Sequence, residues 1–129
     1  MYTVLGATGT VGAQVTTRLL DAGHRVRAVG RSSERLDALA RLGADTAVAD
    51  TTDSSALATA MRDSDAVFAM QPVDHTAADH LTSQRTMTDA IVRALRESGV
   101  PRVVALSSVG AEISSSTGFV VGLHILEQI

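Results

Sequence analysis

The chain is 129 residues long and weighs 13.4 kDa, the length of one domain. Apolar residues make up 45 %, enough for a core, but aromatics only 2 %; with a net charge of −3 and a pI near 5.7, a basic or base-stacking nucleic-acid surface is excluded. There is no cysteine and all eleven basic residues are arginine, which removes disulfides, thiolate or cysteine-metal chemistry and lysine Schiff bases.

Taken in chain order, apolar runs alternate with helical patterns. Tyr2 to Leu5 is short, β-branched and aromatic, and reads as a first strand. Val11 to Ala22 carries Val11, Val15, Leu19 and Leu20 as one apolar stripe, closed by Gly23. Arg25 to Gly30 is a second strand. Ser32 or Ser33 then caps a helix with Leu36, Leu39, Ala40 and Leu42 on one side, ended by Gly43. Thr46 to Ala49 is a third strand, Asp53 caps a helix holding Leu57, Ala60 and Met61, and Asp63 and Asp65 sit in a solvated turn before a fourth strand, Ala66 to Met70. A long helix is expected over His75 to Glu97, with Leu81, Ile91, Val92 and Leu95 inward and Gly99 at its end. Arg102 to Leu106 is a fifth strand, and a Ser/Gly-rich stretch leads to a last helix from about Phe119.

Strands alternating with helices build βαβ units around a parallel sheet, and right-handed crossovers leave few topologies. The expectation is an α/β, doubly wound sheet of about five strands in the order 3-2-1-4-5, Rossmann-like, over residues 1–129. Ligands bind such sheets beyond the carboxyl ends of the strands, where the order reverses between strands one and four. No uncharged run reaches the ~20 apolar residues of a membrane span, and there is no basic, apolar leader, so the chain reads as cytoplasmic.

The strongest signal is Gly6-Ala7-Thr8-Gly9-Thr10-Val11-Gly12, placed between a strand and a helix. Gly6 permits the turn, Gly9 lets a diphosphate approach the backbone, and Gly12 lets the helix pack on the strand. The helix start offers free N–H groups to the anion, and the Thr8 and Thr10 hydroxyls add donors or cap it. An NAD site wants an acid at the tip of strand two. This chain has Val29-Gly30-Arg31-Ser32-Ser33 there, and Arg31 matches a ribose 2′-phosphate, with Arg35 one turn on. Asp50 can accept from an adenine amino group or cap a helix; Thr51 follows it. Topology places Met70 and Gln71, ahead of Pro72, beside the adenosine ribose and diphosphate. Ser107, in Ser107-Ser108-Val109-Gly110, follows strand five on the ligand side.

GATGTVG, the strand-two arginine, Ala49-Asp50-Thr51 and the run Val103 to Gly110 together resemble the NmrA-like group of atypical short-chain dehydrogenase/reductases over essentially the whole chain. That resemblance implies an NADP(H) cofactor, with NAD(H) as the alternative, touched by Gly6, Thr8, Gly9, Thr10, Val11, Arg31 and Asp50. It places Ser107 at the nicotinamide end. It implies an oxidoreductase passing hydride to a quinone or carbonyl acceptor or, alternatively, a non-catalytic NADP(H) sensor that binds another protein. Two departures stand out. The superfamily's Tyr-x-x-x-Lys pair is missing, and His124 stands near where such a tyrosine would be, a candidate acid beside Ser107. The resembled proteins also continue into a sixth strand and a C-terminal lobe, so the chain is expected to be the N-terminal portion of a longer architecture, or a short relative that needs a partner. The apolar face of the last helix, from Phe119 to Leu126, then predicts either a homo-oligomer or the remainder of a longer chain over that face. His75, Asp79 and His80 lack a third convergent ligand, so no metal site is expected, and neither a Gly-x-Ser-x-Gly elbow nor a P-loop is present.

Overall fold

A computed structural model describes residues 1–70 and 80–106. In chain order these form β1 (Tyr2–Val4), α1 (Thr10–Asp21), β2 (Val26–Gly30), α2 (Ser33–Arg41), β3 (Asp45–Val48), α3 (Ser54–Met61), β4 (Ala66–Ala69), α4 (His80–Ser98) and β5 (Val103–Ala105). The strands make one parallel sheet in the order β3-β2-β1-β4-β5, as expected from the alternation of elements. β1 is central, with Val4 beside Ala28 on one flank and Phe68 on the other.

Alternation along the strands sorts the core into two layers. Val4, Val26 and Ala28 face Leu36 and Leu39 of α2, with Val15, Leu19 and Leu20 of α1 and Phe68 packed alongside. Leu5, Val29, Val67 and Ala69 face the other way, onto Leu57, Ala60 and Met61 of α3 and Ala90, Ile91 and Ala94 of α4. Buried polar groups on this second face are satisfied: the Thr3 hydroxyl shares a 2.5 Å hydrogen bond with Ser64. Arg27 reaches across from β2 to donate to the Ala60 and Arg62 carbonyls at the carboxyl end of α3, a helix with no basic residue of its own there.

Ser32 and Asp53 cap α2 and α3, accepting from the backbone N–H groups of Arg35 and Ala56. Three apolar expectations are corrected. Leu42 is 58 % exposed because α2 ends at Arg41 and the chain turns away through Gly43; Ala40, within α2, is exposed as well. Val11 is 40 % exposed, and the positions of α1 buried against the sheet are the small Gly12 and Thr16. Asp65 is exposed but not merely solvated: its carboxylate takes the N-terminal ammonium at 2.8 Å, which holds its pKa below the usual value. In α4, Ile91 is buried and Val92 and Leu95 are half-buried, while His75 and the Leu81 side chain lie outside what is described. No described helix is long and apolar enough to cross a membrane.

The contrast between the two α2 leucines is testable. Leu36→Ala should cost about 2–5 kcal/mol of stability in denaturant unfolding, whereas Leu42→Ala should stay within about 0.5 kcal/mol of the parent.

Candidate functional site

The turn from β1 into α1 is built by hydrogen bonds from both neighbouring strands. Leu5 N–H donates to the Phe68 carbonyl of β4, and Ala7 N–H to the Val29 carbonyl of β2. Between them Gly6 takes φ +63°, left-handed backbone that a side chain disfavours. Gly9 N–H returns to the Gly6 carbonyl and closes the turn. Gly12 then lies directly on that carbonyl: a Cβ there would collide with the Gly6 oxygen and come within 2.9 Å of the Ala7 Cα. The helix start is therefore pressed onto the strand end.

At this start no side chain caps α1, and no acidic residue occupies its first turn. The N–H groups of Thr10, Val11 and Gly12 have no acceptor within the helix, so they and the positive end of the helix dipole are left for an anion. Thr8 and Thr10 supply no cap, contrary to one of the two roles expected of them.

A cleft of about 190 Å³ opens beside the turn. Of the residues singled out in the sequence, Gly6, Thr8, Gly9, Arg31, Thr51 and Met70 line it together. Thr10, Val11, Gly12 and Asp50 do not; the first three belong to the helix start, and Asp50 sits just outside. Gln71, Ser107 and His124 lie outside the described residues. The cleft is below the roughly 300–1,000 Å³ of complete small-ligand pockets, so it has room for one end of a dinucleotide. Sequence reasoning passed over Leu5, Val29, Gly30, Ala49 and Leu57 as lining. Gly30 had a signal: a Cβ there would meet Thr8 at 3.2 Å, so its position at the strand tip keeps the two loops close.

The electrostatics are one-sided. Arg31 and Arg35 both line the cleft, and neither forms a salt bridge among the described residues. Asp50, which feels the Arg31 charge, has Oδ1 committed to the Thr52 N–H at 2.9 Å and the Thr52 hydroxyl at 2.7 Å. These bonds, the backbone one foremost, lower its pKa with help from the Arg31 charge, against a smaller opposing effect of burial. Asp50 thus stays ionised while its own turn occupies one of its oxygens. Tyr2, the chain's one tyrosine, packs edge-on against His24, ring centres 5.0 Å apart, at the amino end of the sheet and away from the cleft. No group of three metal-ligating side chains occurs among the described residues.

A family model described as NAD(P)H-binding matches residues 6–125. The chain belongs to this NAD(P)H-binding family. No curated protein matches it. Among solved structures, this NAD(P)H-binding chain is similar to the triphenylmethane reductase of Citrobacter sp., solved in complex with NADP(H), at 22 % identity and a TM-score of 0.85 over 99 % of this chain and 44 % of that one. It is similar to an NADPH-dependent quinone oxidoreductase of Escherichia coli at 22 % identity and a TM-score of 0.78, over 99 % of this chain and 44 % of that one. A nucleoside-diphosphate-sugar epimerase of Pseudomonas aeruginosa has 24 % identity and a TM-score of 0.80, over 98 % of this chain and 45 % of its own. The NAD(P)H-binding chain spans less than half the length of these neighbours, and at such identities the likeness is one of fold.

Two measurements check this geometry. Gly12→Ala should cost about 1–3 kcal/mol, because neither backbone atom it meets can swing away; a lower urea midpoint with an unchanged slope is the expected result. For Asp50 the folded pKa lies below the unfolded one, so its contribution is present above the unfolded value of about 3.9 and is lost as pH falls through the lower folded value. The stability gap between the parent and Asp50→Asn should therefore be open near pH ~7 and close on acidification toward pH ~2.

Proposed function

We propose that this chain binds NADP(H) in preference to NAD(H) and serves an NADPH-dependent oxidoreductase that passes hydride to a quinone-like or carbonyl acceptor. The observation that carries the reading is one cleft uniting an uncapped helix start on a glycine turn with two arginines that form no salt bridge among the described residues. The N–H groups of Thr10, Val11 and Gly12 would hold the diphosphate. Arg31, with Arg35 behind it, would take the ribose 2′-phosphate, where an NAD site would carry an acid. Ala49, Thr51 and Leu57 would flank the adenine, and the other oxygen of Asp50, with no hydrogen bond among the described residues, would accept from its amino group. Bound nicotinamide supplies the hydride, and the protein supplies position and charge. Support also comes from the neighbours, one solved with NADP(H) and one a quinone oxidoreductase that uses NADPH.

Ser107, two residues past β5 in sequence, would hydrogen-bond the acceptor or the carboxamide, and His124 would deliver a proton. The rest of an acceptor pocket would come from polypeptide equivalent to the neighbours' remaining length. A second copy of the chain against the apolar face expected from Phe119 to Leu126, which lies outside the described residues, would make the homo-oligomer. A cytoplasmic setting suits a protein without cysteine.

A second reading, an NADP(H) sensor without turnover, is favoured by one feature: the chain has no lysine, and its one tyrosine is engaged far from the cleft.

NADPH consumption with a panel of quinones and aldehydes separates the two readings. Turnover that falls in Ser107→Ala and His124→Gln supports the reductase; tight binding with no turnover selects the sensor. Arg31→Ala should weaken NADPH binding roughly ten- to a hundredfold, the value of one charge-assisted contact, and leave NADH binding nearly unchanged. Equal affinities of the parent for NADP+ and NAD+ would defeat the cofactor preference.

A further inference from the structure

With four methionines and no cysteine, the chain's oxidisable sulfur is all thioether. Met61 and Met87 are buried, and the Met1 side chain is 8 % exposed. Met70 differs. It stands directly beyond β4, is partly exposed, and lines the cleft. Its side chain lies over Gly6: a Cβ on that glycine would come within 2.8 Å of the Met70 sulfur and 2.9 Å of its Cγ. The thioether fills the space left by the side chain missing from the turn that opens the anion site.

We propose that Met70 is an oxidation site through which hydroperoxides weaken dinucleotide binding. The inference rests on the dinucleotide reading of the cleft. In the reaction, a sulfur lone pair attacks the terminal oxygen of the peroxide. The S–O bond forms as the O–O bond breaks. Sulfur is oxidised by two electrons, the peroxide is reduced, and the proton of the attacked hydroxyl passes to the departing oxygen, which leaves as water or an alcohol. The sulfoxide is bulkier, chiral and strongly polar. Its oxygen has no room against Gly6; the apolar Leu5, Val29 and Leu57 side chains of the cleft offer it no donor, while Thr8, Thr51, Arg31 and Arg35 would draw it into the space a dinucleotide needs. Turned into the cleft instead, it places partial negative charge where a diphosphate would sit. Both effects act against binding. A bound dinucleotide would cover the sulfur, so occupancy should in turn slow oxidation.

The test uses the full chain, titrated with NADPH before and after hydrogen peroxide, with peptide mass spectrometry locating the added oxygen. The oxygen should appear first on Met70, and NADPH affinity should fall by about tenfold. Saturating NADPH should delay that oxidation, and methionine sulfoxide reductase should restore binding. Met70→Leu, whatever its own starting affinity, should give a treated-to-untreated ratio near one. Oxidation of another methionine first, an unchanged affinity once Met70 carries the oxygen, or an equal loss in Met70→Leu would each overturn the proposal. Failure of the dinucleotide reading shows separately, as untreated protein that does not bind NADPH, and it removes the inference with it.

Discussion

The contact of Gly12 on the Gly6 carbonyl sets everything above it. A helix that follows a strand so closely has to pack its first turn onto the strand's last residue, and here the two backbones meet with no side chain between them. That approach fixes the direction of α1, and with it the direction in which its first N–H groups point. The hydrogen bonds from Leu5 to β4 and from Ala7 to β2 anchor the turn to both central neighbours. The uncapped helix start is thus held by the central strands of the sheet rather than by a free loop. Even the missing cap fits: a Ser or Asp side chain at Gly9 would satisfy the donors that a diphosphate needs.

Charge is arranged around this site by subtraction. Arg31, just past β2, and Arg35, in the first turn of α2, form no salt bridge among the described residues, and Asp50, which feels the Arg31 charge, is occupied by its own turn. Surface arginine ion pairs contribute little to folding, and both residues are exposed, so leaving them unpaired costs the fold little. The rest of the fold's polar chemistry runs the other way: Thr3, Ser64 and Arg27 are all satisfied internally, on the side of the sheet that faces α3. Buried groups on that face are closed; groups at the carboxyl edge are left open.

Much of this could be read from residues alone, where local chemistry decides. The glycine spacing, the caps at Ser32 and Asp53, the glycines after the helices and the strand order all follow from short-range rules and crossover handedness. The misreadings came where one residue type serves two ends. Leu42 and Val11 continue an apolar stripe in sequence, but α2 stops before Leu42, and α1 approaches the sheet too closely for anything larger than Gly12 or Thr16 at the contact. Leu5, Val29, Ala49 and Leu57 belong to the core cluster and to the wall of the cleft at once, and an apolar residue carries no mark telling the two apart. Met70 was reached by topology, since it follows β4; nothing in its type foretold that its sulfur would rest on Gly6.

The division between binding and chemistry follows from the same layout. On the proposed reading, the parts held by the described sheet are those that would recognise phosphate and adenosine: backbone N–H groups, guanidinium groups and small residues. Proton donors of the usual kind are missing from them, since the chain has no lysine and Tyr2 is packed against His24 at the opposite edge. Hydride transfer to a quinone makes modest demands on a protein, because the product gains aromaticity and water can protonate it. A site that only aligns donor and acceptor is then sufficient, and alignment alone is worth several kcal/mol of barrier. A carbonyl acceptor makes a harder demand, because charge develops on one oxygen that needs a donor in place. If such an acceptor is the true one, Ser107 and His124, in the stretch after β5, are the donors this sequence offers it.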